Sequence, residues 1–266
     1  MVALVTVGIV ALLAALLTLF SGFGLGTLLL PVFALFLPIE VAVAATAVVH
    51  LANNLFKVGL VGRHADRAVV RAFGIPAILA AFVGASLLSG MTARAPIAHY
   101  TVGPIHAQIT WAGLVIGPLL AFFALFDLLP RLRDLTVERR WLPLGGALSG
   151  FFGGLSGLQG ALRATFLVKC GLGRDAFVGT GVVVAVLVDL ARLAVYGASF
   201  YGRHMGTLGA SEADAVPALV ATATLAAFTG SFAGARLLPK VTIGFVQKLV
   251  GVSIIVLGAA LAAGWI

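Results

Sequence analysis

The chain has 266 residues, 61% of them apolar and 10% charged, against the roughly 25% charged residues of soluble domains; that composition excludes a water-soluble globule. The formal net charge of +8 comes from basic residues in short loops between apolar runs, which excludes a nucleic-acid-binding face. The runs lack period-2 alternation, which excludes a β-barrel.

In chain order, the apolar runs predict segments at 3–20, a short 24–38, 40–61, 72–90, 107–128, 143–156, a short 160–172, 175–199, 215–237 and 244–266. Most reach the roughly 20 residues that a helix needs to cross a hydrocarbon core. The first run carries no basic n-region and flows into the next, so a cleaved signal peptide is not expected. Loops are predicted at 63–71, 90–106, 130–141, 201–214 and 238–242.

Orientation follows from the loop cations. Arg63, Arg67 and Arg71, then Arg131, Arg133, Arg139 and Arg140, then Arg236, Lys240 and Lys248 mark alternate loops and are assigned to the cytoplasm. The intervening loops hold only Arg94 and Arg203, opposed by Glu212 and Asp214. By the same parity Lys169 and Arg174 face the cytoplasm.

The chain also repeats itself. A shift of 134 places Gly26 on Gly160 and Thr46 on Thr180, and a shift of 135 places Asn54-x-x-Lys57 on Asp189-x-x-Arg192. Residue identity is thin, but the order of segments matches, and the charge pattern makes the halves antiparallel, as in many secondary transporters. The expected fold is therefore an all-α polytopic membrane protein of two inverted repeats, each a broken Gly-rich helical hairpin plus three transmembrane helices. The first repeat takes 1–130, a basic cytoplasmic linker 131–142, and the second repeat 143–266.

Each half opens on a Gly-rich break: Ser21-Gly-Phe-Gly-Leu-Gly26 before Pro31, and Gly150-Phe-Phe-Gly-Gly-Leu-Ser-Gly-Leu-Gln-Gly160. Lipid cannot satisfy the backbone of a broken helix, so such breaks face protein or a water-filled cavity. Gly22-x-Gly24-x-Gly26 has no strand before it and is not a nucleotide fingerprint. It reads either as close helix packing or as a re-entrant tip whose N–H groups point at an anion.

Arg163 stands three residues beyond Gly160 in an apolar stretch. A membrane arginine marks a pathway, a partner or an ion site, or else snorkels to headgroups, and its planar fork suits an oxyanion. Gln159 and Ser156 offer further hydrogen bonds, or cap the break. His50, Asn53, Asn54 and Lys57 share one helical face, for interhelical hydrogen bonds or for substrate or ion contact; His50 can also relay protons. Asp189 and Arg192, three apart, form a structural ion pair or, in the other reading, a gate with Asp189 as proton carrier. His99, His106 and Gln108 lie at an outer boundary and read as solvated. Cys170 reads as a small buried hydrophobe without a partner. The sequence lacks an HExxH motif, a GxSxG elbow and metal-spaced acidic clusters, so no enzyme activity, metal or other cofactor is expected.

Phe20-Ser-Gly-Phe-Gly-Leu-Gly26 with Pro31, Ala42-x-x-Ala45-Thr46, the basic loop from Arg63 to Arg67, and Leu148-Ser-Gly-Phe-Phe-Gly-Gly154 together give a resemblance to the sulfite exporter TauE/SafE permeases over nearly the whole chain. Those permeases more often read G-x-G-G-G at both hairpins, whereas the second hairpin here is Gly157-Leu-Gln-Gly160 followed by Arg163. The resemblance implies movement of small sulfur-containing anions, sulfite or organosulfonates, across a bacterial inner membrane.

The expectation is thus a secondary carrier that works by alternating access. The substrate-binding residues would be Arg163, Gln159, Gly160, Gly24, Gly26, Asn53 and Lys57, with His50, Asp189 and Arg192 for gating or proton coupling. The expected partners are the anion and the lipid bilayer, not nucleic acid; monomer and homodimer both stay open. An anion channel, a membrane-embedded enzyme and a non-transporting subunit are the rival readings.

Overall fold

In a computed structural model, residues 1–18, 25–129, 131, 135–204, 210–237 and 243–265 are described. Ser21, Gly22, Gly24, Arg133 and Lys240 lie outside them, as do the side chains of Arg203, Glu212, Asp214, Arg236 and Lys248. Ten helices carry the described chain: α1 Val2–Thr18, α2 Leu25–Ala34, α3 Ile39–Val61, α4 Arg67–Thr92, α5 Trp111–Leu128, α6 Leu142–Ser156, α7 Gly160–Leu167, α8 Arg174–His204, α9 Ala210–Leu237 and α10 Ile243–Ala263. Stretches of α3, α4, α8 and α9 are long and apolar enough to cross a membrane. Leu79, Leu225 and Val256, all more than half exposed, belong to an outer surface that only lipid would cover. The protein is an all-α, multi-pass membrane protein.

The two short helices fall where the Gly-rich breaks predict them. With 10 residues in α2 and 8 in α7, each rises only about 12 to 15 Å, roughly half a hydrocarbon core. Gly157 ends α6 in the left-handed region at φ 82°, donating its N–H to the Gly153 carbonyl at 2.9 Å, and the chain turns back into α7. Only glycine holds that conformation without strain.

Three loop predictions need correction. Helix α4 already begins at Arg67 within the predicted loop 63–71, and α8 and α9 take 201–204 and 210–214 of the predicted loop 201–214, because their helical ends run on past the apolar runs. The loop at 90–106 and the start of the 107–128 span are a β-hairpin, β1 Ala98–Val102 against β2 Ile105–Ile109, with His99 opposite Gln108 and Thr101 opposite His106. Tyr100, Thr101 and Val102 favour strand, and Gly103 turns at φ 58°. α5 therefore begins at Trp111, where the Thr110 hydroxyl caps it by accepting the Gly113 N–H at 3.0 Å. Tyr100 holds the hairpin to the end of α10 by donating to the Ala263 carbonyl at 2.6 Å. His99, His106 and Gln108 are exposed.

Helix pairing is reciprocal. α4 packs on α6 and α1 on α9; α3 packs on α8 and α5 on α10; α4 also meets α8 as α9 meets α3. Exchanging the first five helices for the last five leaves this set unchanged. Glycines bring the backbones together. On α6, Gly146, Gly150 and Gly154 face the backbone of Phe73, Ala77 and Ala81 on α4; on α9, Gly230 and Gly234 face Leu12 and Leu16 on α1. Such small-residue ridges let helices approach without a large apolar driving force. Where α5 crosses α10, Gly117 and Gly258 face one another's carbonyls.

Candidate functional site

Where α3 and α8 cross, their polar residues meet. His50, Asn53, Asn54 and Lys57 are all buried on α3, as the helical spacing predicts, and Asp189 and Arg192 on α8 are both fully buried. The Asp189 carboxylate is the hub. Its Oδ2 accepts from His50 Nδ1 at 2.6 Å and from the Asn54 amide at 3.2 Å. Its Oδ1 takes Arg192 through Nε at 3.0 Å and Nη2 at 2.8 Å, so the i, i+3 ion pair forms. The Gln159 amide, from the break between α6 and α7, also donates to Oδ1, at 3.3 Å.

The second hairpin is wired into this hub. Gln159 is 1% exposed and Arg163 4%. Arg163 Nη1 donates to Gln159 Oε1 at 3.1 Å, and Ser149 donates to the Gln159 carbonyl at 3.0 Å. Arg163 lies against α8 at Gly181, where an added methyl would stand 3.4 Å from Nε. A narrow cleft opens there, lined by Gly160, Arg163, Ala164, Leu167, Phe177, Val178 and Gly181. Lys57 lies close enough to Arg163 for the two charges to repel.

The two helix breaks also come together. A methyl on Gly26 would stand 3.4 Å from the Gly157 carbonyl oxygen and 3.7 Å from His50 Cδ2. The N-terminal turn of α2 thus meets the end of α6 beside the histidine. On the other side of Gly157, the Arg192 guanidinium occupies the space that a side chain would need.

Of the sequence-predicted residues, His50, Lys57, Gln159, Gly160, Arg163, Asp189, Arg192 and Gly26 gather around this junction; Gly24 lies outside the described residues. Asn53 does not join the hub. Its Oδ1 accepts from Ser231 on α9 at 2.8 Å, while its buried Nδ2 has no partner. Ser156 donates to Phe152 of its own helix and serves that turn.

Three polar residues at the junction escape the motif reading. Tyr196 is 1% exposed, donates to the Gly154 carbonyl and contacts Arg192; its i+7 spacing from Asp189 puts it on the same helical face, a signal present in the sequence. Ser231 sits in a Gly-rich helix with no polar stripe to announce it. Thr46, buried with an Oγ1 that finds no partner among the described residues, was visible in its match to Thr180 and in the Ala42-x-x-Ala45-Thr46 motif but carried no assigned role. Among the described residues, no group of three or more His, Cys, Asp or Glu is placed to hold a metal ion.

Around this junction three buried cations, Lys57, Arg163 and Arg192, face a single buried carboxylate among the described residues, Asp189. Residues 7–261 match the model of a family described as Sulfite exporter TauE/SafE. No curated protein and no solved structure matches the chain.

Proposed function

Since the chain belongs to the sulfite exporter TauE/SafE family, a family of membrane transporters, we propose that it is a secondary carrier whose substrate, a small sulfur oxyanion such as sulfite or an organosulfonate, sits between Arg163, Lys57 and the apposed helix breaks. The observation that carries this reading is the charge balance among the described residues: three buried cations against one buried carboxylate, which Arg192 and His50 already engage. Clustered positive charge in a membrane interior favours a bound anion. Arg163 offers a planar fork suited to an oxyanion, Lys57 a point charge, and the first turns of α2 and α7 free N–H groups. Asn53 Nδ2, a buried donor without an acceptor, is a further candidate ligand group.

In this reading residues 1–130 and 143–266 are inverted repeats joined by the linker 131–142, and the basic loops face the cytoplasm of a bacterial inner membrane. The reciprocal helix pairing and the meeting of α3 with α8 support the repeat. Small movements of the hairpins about the junction would expose the anion to either side in turn.

Labelled sulfite flux from proteoliposomes tests the proposal. Saturable flux that unlabelled sulfite on the opposite side accelerates, and that Arg163→Ala abolishes while the variant stays folded, is the expected result. Flux that neither saturates nor exchanges would make the protein a channel. Unchanged flux in Arg163→Ala would remove the site.

A further inference from the structure

The Asp189 carboxylate is saturated. It accepts from His50 and Asn54 at Oδ2 and from Gln159 and Nε of Arg192 at Oδ1, four donors for the four lone pairs that two carboxylate oxygens offer, with Nη2 of Arg192 in ion-pair contact at 2.8 Å. It has no room for a proton and stays ionised. The His50 ring is differently placed. At 2.6 Å from a carboxylate oxygen, Nδ1 must be the donor, which fixes the tautomer and leaves a lone pair on Nε2. Asn54 Nδ2 lies beside the ring, 3.0 Å from Nδ1 and 3.5 Å from Nε2, the latter at the long limit of a hydrogen bond. The adjacent carbon, Cδ2, faces Gly26 in the first turn of α2, where the anion is placed in the reading above.

We propose that His50 is the proton-coupling group of this carrier: Nε2 takes one proton from water as the anion binds and returns it when the anion leaves, so that the two ions occupy the protein together. This rests on the anion-carrier reading. Asp189 and Arg192 on α8 and Arg163 on α7 are the charges that act on the ring, and Lys57 on the same helix as His50 acts on Arg163. α2 and α9 present no titratable side chain to it among the described residues. Without an anion, a proton on Nε2 would set four positive charges against one buried carboxylate among the described residues. A bound oxyanion offsets that charge and gives the new N–H an acceptor. Each ion therefore strengthens the binding of the other by the same factor.

The test is calorimetric titration of purified full-length protein with thiosulfate, which is fully ionised near neutral pH, and with sulfite, in buffers of different ionisation enthalpy. The expected count for wild type is one proton taken up per thiosulfate bound, with affinity rising by up to about tenfold for each unit that pH falls wherever that proton is taken up. His50→Gln should bind thiosulfate with no proton uptake and a flat pH profile. With sulfite the difference between the two proteins isolates the ring's proton from the anion's own. Uptake undiminished in His50→Gln, or wild type binding thiosulfate with no proton, overturns the coupling and leaves the carrier reading standing. No binding of either anion by wild type removes the carrier reading, and the coupling with it. Should His50→Gln not yield monodisperse protein, His50→Asn replaces it, and a wild-type proton count of zero is decisive without either variant.

Discussion

Asn54 donates its side-chain amide to Asp189 across 3.2 Å, and the two residues stand 135 apart in the chain, the shift that superposes Asn54-x-x-Lys57 on Asp189-x-x-Arg192. Corresponding positions of the two halves thus touch one another, as residues near an approximate two-fold axis do. Of the two stripes that meet here, one carries amide and ammonium, the other carboxylate and guanidinium.

Removing the carboxylate should be costly. Asp189→Ala leaves Arg192 fully buried without its counter-charge and His50 without its acceptor, a class of change worth about 3 to 5 kcal/mol. Thermal melting in detergent should show a large loss. Asp189→Leu combined with Arg192→Leu should melt higher than Asp189→Ala alone, because no buried charge is then stranded.

Gly150→Ala should loosen the α4–α6 pair, since its methyl would run into the Ala77 backbone. Overpacking of this kind costs about 1 to 3 kcal/mol. Gly59→Ala meets nothing within 4 Å and should be neutral or stabilising by up to about 1 kcal/mol. Equal melting of the two variants would show that the glycine ridge does not set the packing distance.

At Gly157 two costs combine. A side chain in the left-handed region is disfavoured by about 1 to 2 kcal/mol, and alanine would also displace Arg192 from the break. Gly157→Ala should therefore lower both the melting temperature and sulfite affinity. Gly171→Ala, also at positive φ but with open space around it, should lower the first and spare the second.

Ser231→Ala removes the donor to Asn53 Oδ1 between α9 and α3. Hydrogen bonds between membrane helices average about 0.6 kcal/mol, so unfolding in mixed micelles should register a loss of that order and sulfite affinity should hold. A large affinity loss would place Asn53 in the anion site through its Ser231 contact.

Much of this architecture is legible in the chain because lipid imposes a simple rule: apolar length becomes helix, and glycine or polar runs become breaks. That rule located the short helices α2 and α7 and the shared face of His50, Asn54 and Lys57. It missed the β1–β2 hairpin, because a loop outside the hydrocarbon is freed from the rule and His99 to Val102 then follow strand preference. Side-chain pairing was less accessible. Asp189 with Arg192 was visible from spacing, but His50 with Asp189 and Asn53 with Ser231 join residues 139 and 178 apart, and periodicity within one helix says nothing about which face meets it. Tyr196 was readable from its spacing to Asp189; Ser231 carried no signal.

The N-terminal helix α1 is held by α9, and α6 by α4. During translation, then, α1 emerges with its partner surface still some two hundred residues away, and α4 waits for α6. Neither half of the chain holds both members of these pairs. Two separately encoded half-chains should accumulate only when made in the same cell, each serving as the other's missing wall.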